Sequence, residues 1–146
     1  MTRDNSLDLE KTRISDKMQF TDKLKVLFVD DSSLCRKYAE IEAEKYAIDL
    51  SCVESGQKAL QLVKERSFDM LICDYIFPKE NGVEIIKSIA EVAKIPKVII
   101  LTGINDTSGI RMMLDRYKLD VDAIVRKDRI DLALANIFKG YENAGA

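Results

Sequence analysis

Histidine and tryptophan are absent from this chain of 146 residues, and cysteine is scarce. The absence of histidine excludes histidine-based catalytic triads, histidine ligands to a metal, and any role for the chain as a phosphohistidine donor. The three cysteines, Cys35, Cys52 and Cys73, stand singly inside apolar segments and lack the close pairing of a zinc or redox motif. We interpret them as small core residues.

The sequence also lacks long apolar runs and an excess of positive charge. The 23 Lys and Arg residues face 25 Asp and Glu residues, which gives a formal net charge of -2. Such a balance provides no global basic field that would attract nucleic acid. No stretch approaches the roughly 18 to 20 apolar residues of a membrane span, and the N-terminus lacks the apolar core of a signal peptide. We therefore expect a cytoplasmic protein that binds neither nucleic acid nor membrane.

The length of the chain fits one domain with a core that needs neither disulfides nor a metal. Residues 1–23 are polar and mixed in charge, and only Leu7, Ile14 and Met18 have the spacing of a short helical stripe. This N-terminal extension is predicted to be either flexible or a short docked helix. The folded domain is expected over residues 24–143, followed by a short tail over residues 144–146.

Five short apolar segments predict the strands of a sheet. They are Lys25–Asp30, Ile48–Val53, Phe68–Cys73, Val98–Leu101 and Val121–Arg126. Segments with apolar residues at helical spacing follow each of them. Strands that alternate with helices through short connections favour a doubly wound parallel sheet, because each crossover must pass over a face of the sheet. The predicted class is therefore α/β, with five parallel strands and five helices.

The residues that begin the predicted helices are mostly side chains that can cap them. They are Ser32 or Ser33, Ser55, Val83, one of Asn105, Asp106 and Thr107, and Asp128. Asp128, with Asp131 three residues later, has the pattern of an N-cap followed by an acid at the third helical position. The first helix is predicted to end near Tyr46, and the third near Ala93, since Pro96 follows it.

Polar side chains close four of the predicted strands. Asp30 and Asp31 follow the first strand, Asp74 the third, Thr102 the fourth and Lys127 the fifth. The carboxyl ends of parallel strands share one edge of the sheet, where ligands bind in this fold class. Crowded carboxylates repel one another and call for a cation, and hard oxygen ligands favour Mg²⁺. A hydroxyl and an ammonium opposite them suit a phosphoryl group.

With these strand ends in order, the chain resembles the receiver domain of two-component response regulators over about Lys25 to Tyr141. Pro78 and Gly82, four and eight residues beyond Asp74, are part of the same pattern. The resemblance implies a flavodoxin-like receiver fold with strand order 2-1-3-4-5. It also implies that Asp74 is the nucleophile that takes a phosphoryl group from a histidine kinase or a histidine phosphotransfer protein.

The resemblance assigns roles to the other residues at this edge. Asp31 and Asp74 would coordinate Mg²⁺ together with the backbone carbonyl of Ile76, while Asp30 would act mostly through bound water. Lys127 would pair with Asp74 before phosphoryl transfer and with a phosphate oxygen afterwards.

Thr102 would swing to hydrogen-bond the phosphoryl group. Ile76 and Ile104 stand at positions that tune hydrolysis of the acyl phosphate in the resembled family. Because two branched apolar side chains should exclude water, we expect slow autodephosphorylation.

Two positions depart from the family pattern. Asp128 follows Lys127 where receivers usually carry a proline after a cis peptide bond. Since a cis bond before a residue other than proline costs roughly 2.5 to 4 kcal/mol, we predict a trans bond and a reshaped loop. Ile124 occupies the place of a switching aromatic residue, so the conformational signal must be carried otherwise or weakly.

The expected output of the domain is protein contact. Few residues follow the predicted last helix, which indicates a stand-alone relay or adaptor protein if the chain is complete. The fourth helix, fifth strand and fifth helix form the usual contact face of the family, and a homodimer through this face is a further expectation. Candidate contact residues there are Arg111, Met112, Asp115 and Arg126.

One alternative function remains open, and two others are disfavoured. A phosphorylation-independent, receiver-like interaction module would account for the missing proline and aromatic residue. A phosphohydrolase with an aspartate nucleophile is disfavoured, because Ile76 stands where a second aspartate is needed, and no enzyme activity on a separate substrate is expected. A flavin- or nucleotide-binding domain would need a glycine-rich loop after the first strand, where Asp30 and Asp31 stand instead.

Overall fold

Five strands alternate with five helices in a computed structural model that describes residues 23–145. The strands are β1 (Leu24–Val29), β2 (Ile48–Val53), β3 (Met70–Cys73), β4 (Lys97–Thr102) and β5 (Ala123–Arg126). The helices are α1 (Ser33–Glu44), α2 (Gly56–Glu65), α3 (Gly82–Ala90), α4 (Ser108–Tyr117) and α5 (Ile130–Gly145).

All five strands pair in parallel, in the order β2-β1-β3-β4-β5. The predicted α/β doubly wound fold and its strand order are therefore confirmed. The register aligns Val29 of β1 with Cys73 of β3, and Cys73 with Ile100 of β4. The residues that follow these strands consequently reach the same edge of the sheet.

The core forms two layers, one on each face of the sheet. Alternate residues of β1 show the division, since Leu27 and Val29 belong to one cluster and Val26 and Phe28 to the other. The first cluster is covered by α2, α3 and α4, and the second by α1 and α5. Burial on both faces explains why the central strands are continuously apolar in sequence.

Several predicted boundaries move by two or three residues. The third strand begins at Met70, after Phe68, which is buried but precedes the ladder. The fifth strand begins at Ala123, and the first and third helices end earlier than predicted, at Glu44 and Ala90. Of the cysteines, only Cys73 is buried; Cys35 and Cys52 are half-buried at the margin of the second cluster.

The predicted caps at Ser32 and Ser55 are present, the one at Asp128 is wrong, and Thr107 precedes α4 without a side-chain cap hydrogen bond. The Ser32 hydroxyl accepts from the backbone N–H of Cys35, and the Ser55 hydroxyl accepts from that of Lys58, both at 3.2 Å. Asp128 does not cap the last helix, which begins two residues later at Ile130. Its carboxylate instead accepts from Nη2 of Arg126, which lies two residues earlier, at 2.7 and 2.9 Å.

Residues 1–22 and 146 lie outside the described part of the chain, as do the side chains of residues 141–146. The N-terminal extension with Leu7, Ile14 and Met18 therefore remains a prediction, as does the burial of Tyr141. Within residues 23–145, no helix combines the length and the apolar character needed to cross a bilayer.

Lys118 ends α4 in the left-handed region, with φ 57° and ψ 45°. A side chain with a Cβ is strained there, whereas glycine is not. The Lys118→Gly variant should therefore raise the free energy of unfolding by about 0.5 to 1 kcal/mol, measured by urea denaturation. In contrast, Lys64→Gly inside α2 should lower it by up to about 1 kcal/mol. A Lys118→Gly protein less stable than the native one would contradict the expectation.

Candidate functional site

The polar residues at the carboxyl edge of the sheet are fixed by backbone hydrogen bonds to neighbouring strands. The backbone N–H of Asp30 donates to the carbonyl oxygen of Val53, and that of Asp74 donates to Val29, at 3.1 and 2.9 Å. On the other side, the N–H of Lys127 donates to the carbonyl oxygen of Thr102 at 2.8 Å. The sheet thus sets the backbone position of each of these residues before any side chain interacts.

The Lys127 ammonium lies between two carboxylates. Its Nζ is 2.7 Å from Oδ2 of Asp30 and 3.0 Å from Oδ2 of Asp74. Asp30 is fully buried, and Asp74 is 8% exposed. The sequence predicted the contact between Lys127 and Asp74 but not the shorter one with Asp30. Burial strengthens the electrostatic attraction in both contacts relative to a surface ion pair, because water screens it little.

Backbone N–H groups hold the second oxygen of each buried carboxylate. Oδ1 of Asp30 accepts from the N–H of Ser32 at 2.9 Å, and Oδ1 of Asp74 accepts from the N–H of Tyr75 at 2.7 Å. Arg36, which the sequence did not single out, donates from Nη1 to the carbonyl oxygen of Asp30 at 2.8 Å. Both oxygens of each carboxylate are therefore held, Oδ1 by a backbone N–H and Oδ2 by Lys127.

Asp31 completes an acidic cluster with Asp30 and Asp74. One carboxylate oxygen from each residue lies within 4.8 Å of the others, and Asp31 is exposed to solvent. Three carboxylates face the single ammonium of Lys127, which leaves a net charge of about -2 when all are ionised. Hard oxygen donors with this charge could hold a divalent metal ion, as the sequence predicted.

Burial and charge shift the pKa values of two groups in the site. Burial, followed by the nearby charge of Asp30, raises the pKa of the Asp74 carboxyl, although the hydrogen bond from Lys127 opposes the shift. Burial would lower the pKa of Lys127, but hydrogen bonds and charges from Asp30 and Asp74 outweigh it and raise that pKa. Lys127 is therefore a cation throughout the neutral range.

The loop between β3 and α3, residues 74–81, folds back tightly on itself. The N–H of Gly82 donates to the carbonyl oxygen of Tyr75 at 2.7 Å, and Ile76 forms an antiparallel bridge with Asn81. A Cβ at Gly82 would overlap the carbonyl oxygen of Asp74. The loop approaches the start of α3 so closely that glycine is required there.

An open cleft of about 590 Å³ lies above the acidic cluster. Thr102, fully buried, reaches its wall, and its Oγ1 accepts from the N–H of Ile104 at 3.1 Å. Ile76, 59% exposed, and Ile104 also line the cleft. Cys35 also lines it, although its sequence position suggested only a core residue. The predicted site residues other than Ile124 thus surround one opening.

The positions that depart from the family pattern lie outside the cleft. The peptide bond between Lys127 and Asp128 is trans, as predicted. Ile124 is partly buried and packs against the first core cluster. On α4, Arg111, Met112 and Asp115 are exposed, and Met112 has 66% of its surface accessible.

Comparison with known sequences gives one family over most of the chain. The model of the response regulator receiver domain matches residues 26–137. Response regulator ArlR of Staphylococcus saprophyticus is 31% identical over 113 residues, which cover 77% of this chain and 50% of that protein. The autoinducer 2 sensor kinase/phosphatase LuxQ of Vibrio vulnificus is 33% identical over 72 residues, 49% of this chain and 8% of LuxQ. The chain thus spans half or less of the length of these relatives.

Solved structures give the same fold. A CheY-like response regulator receiver domain protein from Methanospirillum hungatei superposes with a TM-score of 0.71 over 83% of this chain and 94% of its own. The two sequences are 16% identical. At that level the similarity concerns the arrangement of the strands and helices, and it agrees with the strand order described above.

Proposed function

The chain belongs to the response regulator receiver domain family, and on that premise we propose that Asp74 accepts a phosphoryl group from a phosphohistidine residue of another protein. The observation that supports this most is the contact of Lys127 with Asp74 beside the acidic cluster, at the floor of an open cleft. A nucleophile, a buried cation and a set of metal ligands are the components that phosphoryl transfer requires.

The transfer is a substitution at phosphorus. A carboxylate oxygen of Asp74 attacks the phosphorus atom, and a new O–P bond forms as the P–N bond to the imidazole breaks. The electron pair of the broken bond stays on the imidazole nitrogen. Lys127, charged throughout, moves from the carboxylate to an oxygen of the transferred group, and the hydroxyl of Thr102 donates to another.

The acidic cluster has the donor set of a magnesium site. Asp30, Asp31 and Asp74, with the backbone carbonyl of Ile76, are the groups that would hold Mg²⁺. When bound there, the ion would neutralise negative charge on the phosphoryl oxygens. The residual charge of the cluster also explains why a second cation is needed beside Lys127, because like charges at this spacing repel in a buried site.

Hydrolysis of the acyl phosphate is proposed to be slow. Ile76 and Ile104 line the cleft, and neither offers an atom that could orient an attacking water molecule. The domain is accordingly proposed to catalyse only its own phosphorylation and dephosphorylation, and to act on no separate substrate.

The proposed partner upstream is a histidine kinase or a histidine phosphotransfer protein, in the cytoplasm. Downstream, the domain would signal by protein contact through α4, β5 and α5, where Arg111, Met112 and Asp115 are exposed. Arg126, the fourth candidate on this face, is already paired with Asp128. A homodimer through the same face is part of this proposal.

Phosphoryl acceptance is tested with Mg²⁺ and acetyl phosphate as the phosphoryl donor. Intact mass should show one added phosphoryl group on the native protein and none on Asp74→Asn, because the amide lacks the nucleophilic oxygen. Asp115→Asn, which changes an exposed carboxylate on α4, is the matched control and should react as the native protein does. A native protein that forms no adduct would refute the proposal and favour a phosphorylation-independent interaction module, which Ile124 and Asp128 also suit.

The stability of Asp74→Asn should depend on pH. A carboxyl group with a raised folded pKa contributes stability below its unfolded pKa of about 3.9, and this contribution is lost as pH rises through the folded pKa. In metal-free buffer at neutral pH, Asp74→Asn should therefore be more stable than the native protein, by on the order of 1 kcal/mol. Urea denaturation at about pH 7 and about pH 4 should show the difference shrinking in acid. A difference that grows in acid would contradict the raised pKa of the Asp74 carboxyl, which burial and the nearby charge of Asp30 produce.

A further inference from the structure

Both ends of the β3–α3 loop contact one sulfur atom on α4. The Tyr75 hydroxyl donates to Sδ of Met113 at 3.3 Å, and Nδ2 of Asn81 donates to the same sulfur at 3.5 Å. Although thioether sulfur is a weak acceptor, two donors converge on this one atom. Together they restrict the Met113 side chain more than packing alone would. Met113 thus fastens α4 to the loop that carries Asp74.

Tyr75 also contacts the nucleophile directly. Its backbone N–H donates to Oδ1 of Asp74 at 2.7 Å, while its hydroxyl is the group that reaches Met113. One residue therefore binds the carboxylate with its backbone and α4 with its side chain. A change in the charge or position of Oδ1 alters the partner of the Tyr75 peptide, and the phenol ring is attached to that peptide.

The loop is braced so that its two ends move together. The carbonyl oxygen of Tyr75 accepts from the N–H of Gly82 at 2.7 Å, Ile76 bridges to Asn81, and the N–H of Phe77 donates to the carbonyl oxygen of Glu80. A braced loop transmits displacement instead of absorbing it. A shift at the Asp74 end consequently reaches Met113 through both donors.

The aromatic residue that receivers usually place on β5 is Ile124 here, and it packs against the same core cluster as Tyr75 and Met113. We propose that the contact between Tyr75 and Met113 transmits the phosphorylation state of Asp74 to α4. The inference rests on the proposed function, since it assumes that Asp74 is phosphorylated. Met112, the exposed neighbour of Met113 in sequence, belongs to the surface that would change.

Phosphorylation replaces the carboxylate at Asp74 with an acyl phosphate, which moves negative charge from the carboxyl oxygens to the phosphoryl oxygens. The N–H of Tyr75 then loses its charged acceptor, and charge-assisted hydrogen bonds are the stronger ones. The Tyr75 peptide then reorients, and the hydrogen bond from its hydroxyl to Met113 changes with it. As a result α4 shifts from one position to a second.

Hydrogen exchange of the α4 amides tests the coupling, with and without beryllofluoride and Mg²⁺. In the native protein we expect the exchange rates in residues 108–117 to change by about five-fold on adduct formation. Tyr75→Phe removes the hydroxyl, and Met113→Leu replaces the thioether that accepts from it with a branched hydrocarbon, so each should form the adduct yet lose most of the change in α4. Met112→Leu, the same substitution at an exposed position, should keep the native response.

The outcomes separate this inference from the proposed function. If Tyr75→Phe and Met113→Leu form the adduct and retain the full response of α4, the coupling is refuted while phosphoryl acceptance stands. A native protein that forms the adduct without any change in α4 would also refute the coupling. A native protein that forms no adduct would refute the proposed function and this inference together.

Discussion

A Lys127→Met protein is expected to accept a phosphoryl group about 100- to 1,000-fold more slowly than the native protein, the usual loss when one preorganised donor is removed. Lys127 is the only ammonium that the structure places against Asp74 among the described residues. Methionine keeps much of the side-chain volume but has no positive charge that could pair with the oxygens of the phosphoryl group. Initial rates with acetyl phosphate, measured by intact mass, give the factor directly.

The same substitution should increase the stabilisation of the protein by Mg²⁺. Without Lys127, the buried carboxylates of Asp30 and Asp74 face one another with no cation, and breaking a buried pair in this way typically costs about 3 to 5 kcal/mol of stability. A divalent ion would then be the only cation available to them. In urea denaturation, Mg²⁺ should therefore stabilise Lys127→Met more than it stabilises the native protein.

Lys79→Met is the matched control for both measurements, since Lys79 lies exposed in the same β3–α3 loop. It should leave the rate of phosphoryl transfer and the effect of Mg²⁺ unchanged. A Lys127→Met protein that reacts at the native rate would show that the lysine serves stability alone. Titration of Lys127 cannot mimic the effect near neutral pH, because its pKa is raised and the stability from its charge is lost only in strong alkali.

The site was largely predictable because parallel pairing brings the residues that follow the strands to one edge of the sheet. Asp30, Asp74 and Lys127 each follow an apolar strand, and the register brings the ends of those strands to one edge. Nothing about the side chains is needed for this step. The chemical roles of these three residues came from the family resemblance and are part of the proposed function.

The contacts that were missed depend on side-chain direction, which strand ends do not define. Lys127 could have reached Asp74 alone, yet its ammonium also contacts Asp30 at the shorter distance. Tyr75 and Met113 are 38 residues apart, and only the rotation of α4 about its axis decides which residue faces the loop. A tyrosine after Asp74 and a methionine on an amphipathic helix looked like ordinary packing residues.

The prediction for Asp128 failed through competition between local partners. Its sequence context fits a helix cap, but Arg126 offers a full positive charge two residues away. The Arg126 guanidinium donates to the Asp128 carboxylate, and the helix begins at Ile130. Asp128 also stands where receivers usually carry a proline after a cis bond, and the bond here is trans. The backbone N–H of Lys127 nevertheless donates to the carbonyl oxygen of Thr102, which holds Lys127 at the edge of the sheet, and Arg126 and Asp128 pair on the exposed side.

Gly82→Ala is expected to lower the free energy of unfolding by about 3 kcal/mol, the upper part of the usual range for overpacking. The new Cβ would overlap the carbonyl oxygen of Asp74 and lie 3.0 Å from Cα of Tyr75, and both are backbone atoms that no rotamer change can move. Relief requires the loop to shift, which displaces Asp74, the proposed phosphoryl acceptor, so phosphoryl transfer should fall about 100-fold. Gly109→Ala, inside α4 with open space around it, should instead stabilise by about 0.5 to 1 kcal/mol. Urea denaturation and the rate of phosphorylation measure both variants, and a Gly82→Ala protein with native stability would mean that the loop can yield without moving Asp74.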